Sequence, residues 1–282
     1  MSTALIVGCG DLGTEIGLRL RAMGERVIGW RRTPPAASTS GIEFEAVDIT
    51  VGAAWPGADL LVIAAAPGRD DDYEHTYLTG LDRVLQSMDA AGAAPRRAVL
   101  VSSTAVYGSM SGVVDETTPI LASEGRAAAL LEAERRFLDF FAGRSTDAVV
   151  LRLGGIYGPG RTRLIDLVRD GRAVIPRASA ITNRIHRDDA AAAAVHLLTR
   201  AERPERLYLG VDESPAELGE VLRFIADRLG VPEPPTGDVE RTRGGTRRCS
   251  NARLLASGFR FRFPDHESGY GHLLTDGRLR HP

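Results

Sequence analysis

Gly8, Gly10 and Gly13 follow the short apolar run at residues 4–7 at the spacing G-x-G-x-x-G. Glycines so placed have separate jobs. The first permits a tight turn, the second lets a pyrophosphate approach the backbone, and the third brings a following helix close to the strand. Asp11 and Leu12 open that helix, whose first amides offer donors and a partial positive charge to phosphate oxygens. About 20 residues further on, a chain that binds NAD carries an acid for the ribose 2′-hydroxyl. Here the next strand ends instead in Trp30-Arg31-Arg32. A carboxylate would repel a 2′-phosphate, whereas a guanidinium fork pairs with it. The pattern therefore predicts a dinucleotide site that prefers NADP(H), with NAD as the alternative and Arg31 and Arg32 as the phosphate clamp. Cys9, inside the loop, reads as a small residue that the turn tolerates and not as a redox thiol.

Such groups need a sheet to hold them. Apolar runs at 4–7, 27–30, 44–47, 60–65, 98–102 and 149–153 read as buried parallel strands. Helical patterns lie between them. Ile16, Leu18, Leu20 and Met23 lead to Gly24, Leu78, Leu81, Val84, Leu85 and Met88 mark a helix at 72–91, and another covers 127–141. This alternation predicts an α/β fold, a Rossmann doubly wound parallel sheet. After Tyr157 the rhythm breaks. Gly158-Pro159-Gly160 is followed by helices near 164–169, 188–200 and 215–229 and a strand at 206–209, and the tail, rich in Pro and Gly, holds few regular signals. The expected division is a dinucleotide-binding core at 1–157, rejoined by a strand near 206–210, with 158–205 and 211–282 as a smaller substrate-capping region.

Composition narrows the partners. A formal net charge of -2 gives no electrostatic basis for binding nucleic acid or an anionic membrane. Two cysteines, Cys9 and Cys249, cannot build a disulfide framework and suit a reducing cytoplasm. No apolar run approaches the roughly 18 residues of a spanning helix, and the first residues lack the pattern of a signal peptide. The six histidines show no metal-ligand spacing. The expected protein is cytoplasmic, binds a small-molecule substrate, and holds no metal.

Longer stretches carry a family resemblance. The run from Leu100 to Gly108, the segment Asp115 to Pro119, the run from Leu151 to Gly160 and Ile185-His186-Arg187-Asp188-Asp189 stand in order along the chain. Together they resemble the extended short-chain dehydrogenase/reductases, the NAD-dependent epimerase/dehydratase family. The tail around Ser250 to Leu254, Gly258 and Phe263 to Asp265 is similar to that family's C-termini. One departure is that Val7 stands where the family often has a first glycine. The resemblance implies that Asp48 and Ile49 border the adenine, although Asp48 also suits a turn cap. It implies that Ala64, Ala65 and Ala66 pass beneath the cofactor, that Ser102 lies along it, and that Gly154 and Gly155 line its nicotinamide end; simple packing is the alternative for the alanines and glycines. Helix-pair dimers are common in the family, so a homodimer through 72–91 and 127–141 is an expectation of the same origin.

The catalytic set departs further. The family uses Asn, Ser or Thr, Tyr and Lys, and this sequence contains no lysine at all. Ser103 matches the serine, but Glu124 falls on the tyrosine, Ala128 on the lysine and Tyr77 on the asparagine. That pattern resembles the atypical branch of the superfamily. Ser103 is then the group that orients a substrate oxygen, and Glu124 is either a replacement acid–base or a solvated residue in a first helical turn. The leading expectation is an NADP(H)-dependent oxidoreductase or isomerase with a degenerate site, acting on a small, sugar-like substrate such as a sugar nucleotide. The alternative is a non-enzymatic NADP(H)-binding sensor or scaffold.

Overall fold

Side chains alternate across the first strand, β1 (Thr3–Val7). Ala4 and Ile6 enter one hydrophobic layer, Leu5 and Val7 the other, and all four are fully buried. A strand covered on both faces must be apolar at every position, which is why the run carries no polar alternation. The computed structural model describes residues 1–36, 41–67, 73–120, 125–239, 246–276 and 281. Six more strands extend the sheet: β2 (Arg26–Arg31), β3 (Glu43–Ala46), β4 (Leu60–Ile63), β5 (Arg97–Ser103), β6 (Asp147–Leu153) and β7 (Leu207–Gly210). Their order is β3-β2-β1-β4-β5-β6-β7, and every pairing is parallel. The order reverses between β1 and β4. At such a switch point the loops leaving neighbouring strands diverge and open a crevice beyond the strands' carboxyl ends.

The helices are α1 (Asp11–Ala22), α2 (Gly80–Ala90), α3 (Gly125–Phe140), α4 (Arg163–Arg169), α5 (Arg187–Thr199), α6 (Leu218–Leu229), α7 (Ala252–Ala256) and α8 (His266–Thr275). Ile16 and Leu20 of α1 join the alanine-rich α5 on one face of the sheet. Leu81, Val84, Leu85 and Met88 of α2 join Ala133 and Phe137 of α3 on the other. The helix expected at 72–91 is interrupted, because His75–Thr79 forms a π-helical turn before α2 begins; Asp72 lies outside the described residues. Among the described residues no helix is long and apolar enough to cross a membrane.

Two expectations about the second half need correction. The helix expected at 188–200 within the capping region is α5, which packs on the sheet beside α1 and belongs to the same core. The cap proper has its own smaller core, in which Ile165 and Val168 of α4 meet Val221, Leu222 and Ile225 of α6 and Tyr270 and Leu273 of α8. The tail is also more regular than its composition suggests. Arg247–Cys249 pairs in parallel with Gly112–Val114, and α7 and α8 follow. Helix α8 contains Gly269 and Gly271, poor helix formers, and tertiary contact offsets that weakness. A Cβ on Gly269 would fall 1.8 Å from the Tyr157 hydroxyl, and Tyr270 stacks on Tyr157 with ring centroids 4.5 Å apart.

Candidate functional site

The loop after β1 is held by its own backbone. The amides of Gly8 and Cys9 both donate to the Trp30 carbonyl, at 3.0 and 2.8 Å, so the turn is pinned to the end of β2. Gly8 adopts φ +82, and a Cβ there would lie 2.4 Å from the Ala65 backbone after β4. A Cβ on Gly13 would lie 2.7 Å from the Gly8 carbonyl oxygen, so that glycine lets α1 settle onto the loop. Gly10 differs from both: a Cβ on it would meet nothing within 4 Å. It faces open space where α1 begins, and no side chain caps that helix start. Backbone donors without a cap, beside a glycine with room in front of it, form a cradle that fits a pyrophosphate.

That space is a cavity of about 760 Å³. It is lined by Gly8, Gly10, Asp11, Leu12 and Gly13 of the loop and helix start, by Arg31 and Arg32 at the end of β2, by Asp48 and Ile49 after β3, and by Ala64, Ala65 and Ala66 after β4. Twelve of the expected cofactor residues thus converge on one cleft at the switch point. His75 and Thr76 of the π-helical turn also line it. Asp48 serves as the turn cap that its sequence context allowed, since its carboxylate accepts from the Thr50 amide at 2.9 Å and the Thr50 hydroxyl at 2.7 Å. Those two bonds, the hydroxyl's first, hold its carboxyl below the usual range. Burial pushes the Cys9 thiol up to about 11, so it stays protonated and unreactive at neutral pH.

A second cavity, of about 460 Å³, adjoins the first and contains Ser103, Gly154 and Gly155. Ser103 ends β5, and its hydroxyl oxygen accepts from the Ala105 amide at 3.1 Å. Gly154 is tight as well as adjacent, since a Cβ on it would lie 2.9 Å from the Asn183 carbonyl oxygen. Ser102 reaches neither cavity. Strand alternation turns it to the opposite face, where it is buried and its hydroxyl donates to Glu134 at 2.5 Å. Its expected contact with a cofactor is replaced by a structural one. Glu134 also receives Arg152, whose other end donates to the Tyr107 hydroxyl at 2.9 Å. That buried network ties β5, α3 and β6 together beneath Ser103.

Other expected positions separate. Glu124 lies outside the described residues. Arg126 stacks over Tyr73, 4.4 Å from its ring centroid. His186 is fully buried, and its Nδ1 accepts from the Asp188 amide at the start of α5. Asp189 accepts from the amides of Arg262 and Phe263 and so docks the tail. The Ile-His-x-x-Asp stretch is therefore a junction between sheet, α5 and tail.

Several lining residues were not singled out from sequence. Asn183, Arg184, Arg247 and Tyr270 all face the second cavity together with Arg161 and Arg163. Arg184 is 4% exposed, and both of its terminal nitrogens lack a hydrogen-bond partner among the described residues. Its nearest charge is the buried Asp212, at 3.8 Å. Burial raises the Asp212 carboxyl to about 7 against the opposing pull of Arg184. Arg184 directly precedes the Ile-His signature and so had a sequence signal. Arg247 and Tyr270 had none, because their role depends on the tail returning beside Gly112–Val114 and onto Tyr157.

A parallel sheet of this order with a glycine cradle at its switch point defines a Rossmann-type α/β protein. The sequence model of the NAD dependent epimerase/dehydratase family matches residues 4–210, and the chain belongs to that family. It is 30% identical to Protein YeeZ of Escherichia coli K12 over 94% of this chain and 97% of that one. A solved structure from Methylobacillus flagellatus, named for the NAD-dependent epimerase/dehydratases, is 36% identical with a TM-score of 0.80, covering 97% of this chain and 98% of that one. The human epimerase family protein SDR39U1, solved with NADPH, shares the fold at 20% identity and a TM-score of 0.78, over 97% and 99% of the two chains. Other structures of this fold hold NAD.

Proposed function

We propose that the chain is an NADP(H)-dependent oxidoreductase or isomerase that acts on a small, sugar-like substrate, such as a nucleotide sugar, with a degenerate catalytic set. One observation carries the reading: the glycine-cradled cavity and the Ser103 cavity are adjacent and share Arg161 as a lining residue. A nicotinamide dinucleotide held in the first would supply hydride exchange at the mouth of the second. The chain's own part is to bind, orient and shield. Ser103 already accepts from the Ala105 amide, so its hydroxyl proton remains available to a substrate oxygen. Positioning of this kind supplies effective molarities of ~10⁵–10⁸ M, whereas one acid–base group adds ~10²–10⁴-fold. Loss of the tyrosine and lysine roles therefore slows turnover without abolishing it.

NADP(H) is favoured by Arg31 and Arg32 at the adenosine end of the cavity. Glu45, opposite Trp30 on β3, accepts from the Trp30 indole N–H at 2.8 Å and is not among the residues lining the cavity. Calorimetric titration of cofactor-free protein with NADPH and NADH tests this. One charge-assisted hydrogen bond is worth about 1.5–3 kcal/mol, so NADPH should bind roughly ten- to a hundredfold tighter than NADH. Arg31→Ala should erase that difference by weakening NADPH alone. Equal affinities in the unmodified protein would end the NADP(H) assignment. NADPH binding without turnover of nucleotide sugars or simple carbonyl compounds would leave the non-enzymatic sensor as the better reading.

A further inference from the structure

Asp11 is out of place in a phosphate-binding loop. It is the first residue of α1, between Gly10 and Gly13, where a carboxylate opposes the charge of any bound pyrophosphate. The structure buries that carboxylate completely. Its Oδ2 accepts from Nε of Arg161 at 2.6 Å, and its Oδ1 from Nη1 of Arg187 at 3.2 Å. Arg187 is itself 1% exposed and also paired with Asp188, so its charge is spent inside the protein. Arg161 is different. Its side chain is 28% exposed, it lines the glycine-cradled cavity, and its two terminal nitrogens make no hydrogen bond to the described residues.

The backbone explains how a residue 150 positions away reaches the loop. Gly158 adopts φ +148, and a Cβ there would lie 2.9 Å from Cβ of Arg187, so the Gly158-Pro159-Gly160 turn sits directly on the residue that also grips Asp11. The Arg161 amide closes the turn by donating to the Gly158 carbonyl at 2.8 Å. Loop, turn and helix start are thus tied together through Asp11 and Arg187, with the His281 amide also donating to Asp11 Oδ1 at 3.3 Å. Among the described residues nothing accepts from the far end of the Arg161 guanidinium. A guanidinium held by its Nε edge, on a side chain that lines both the glycine-cradled cavity and its neighbour, is suited to an anion shared with the loop amides.

We propose that Arg161 is a pyrophosphate ligand, reaching over the glycine loop from the turn after β6, and that Asp11 is its positioning residue and not a cofactor contact through its side chain. This rests on the reading of the cavity as a dinucleotide site. The pyrophosphate is common to NADPH and NADH, whereas the 2′-phosphate is not, and that difference sets the test. Dissociation constants are measured by calorimetry for NADPH, NADH and adenosine 2′-phosphate, with the unmodified protein and with Arg161→Ala, Arg161→Gln and Arg161→Lys.

Arg161→Ala and Arg161→Gln should each weaken NADPH and NADH by the same factor, about ten- to a hundredfold. Adenosine 2′-phosphate, which lacks the pyrophosphate, should bind as before. Arg161→Lys should recover part of the loss, because it keeps the charge without the fork. Asp11→Asn should weaken both dinucleotides less than Arg161→Ala does. Dinucleotide affinities within twofold of the unmodified protein would overturn the assignment. So would an altered NADPH-to-NADH ratio, which would place Arg161 elsewhere on the ligand. Equal weakening of adenosine 2′-phosphate would reduce Arg161 to a structural prop of the loop. If the unmodified protein bound neither dinucleotide, the reading of the cavity itself would fall, and this assignment with it.

Discussion

Alanine at Gly8 and at Gly10 should have opposite consequences, although both are glycines of one loop. At Gly8 the new Cβ meets Ala65 backbone at 2.4 Å and Ala64 backbone at 2.7 Å, against a normal contact of about 3.5–4.0 Å. Backbone on neighbouring strands cannot step aside as a flexible side chain does. The residue also sits at φ +82, where a left-handed conformation costs an L-residue roughly 1–2 kcal/mol. Overpacking adds about 1–3 kcal/mol, so Gly8→Ala should lose roughly 2–5 kcal/mol of stability. Gly10 has φ -85 and ψ -151 and open space before it. Alanine fits there, so the folding free energy should move by less than about 1 kcal/mol. Its methyl would instead occupy the gap through which a pyrophosphate reaches the loop amides. Losing one charge-assisted bond to those amides corresponds to roughly ten- to a hundredfold weaker NADPH binding. Urea denaturation and calorimetry on the two variants separate the effects. A Gly10→Ala protein that bound NADPH like its parent would refute the cradle, and a Gly8→Ala protein of parental stability would refute the packing argument.

Two further outcomes follow from buried charge. Glu134→Gln leaves the Arg152 guanidinium, 7% exposed, without its counter-ion; urea unfolding should show a loss of about 3–5 kcal/mol, whereas Glu134→Leu with Arg152→Met should cost far less. The Asp212 carboxyl is raised to about 7 from 3.8, so its contribution to stability is complete below about pH 4 and is lost as pH rises through 7, by up to about 4 kcal/mol. Replacing the pair by neutral isosteres, Asp212→Asn with Arg184→Gln, should flatten that fall relative to the parent, because the remaining titrating groups are common to both. An unchanged slope of stability between pH 4 and 7 would show that Asp212 ionises normally.

Legibility differed from element to element. Strands β1, β4 and β5 were readable because burial on both faces demands a short apolar run bounded by turn residues. The glycine loop was readable because turn, close approach and helix packing each demand glycine at a fixed spacing; in the structure Gly8 makes the turn, Gly13 admits the helix, and Gly10 has open space before it. Ser102 was misplaced for a local reason. Its neighbour Ser103 faces the second cavity, and period-two alternation sends Ser102 to Glu134. Helix α8 was missed because its glycines depress local propensity, and its N-cap pair, Asp265 accepting from the Ser268 amide at 2.7 Å, is a short signal inside a turn-rich tail.

The amino-acid sequence by itself determined the parallel sheet, the glycine loop, the arginines at the end of β2 and the absence of any lysine to complete a Tyr-Lys pair, since each follows from residue type at short range. Tertiary structure decided the rest. It brought Arg161 onto Asp11 across 150 positions, placed Arg184 and Arg247 in one cavity with Ser103, and moved α5 from the cap to the sheet. Those contacts depend on how the chain after β6 returns over the carboxyl ends of the strands. A short-range pattern does not encode that path, because it is set by which buried surfaces fit together.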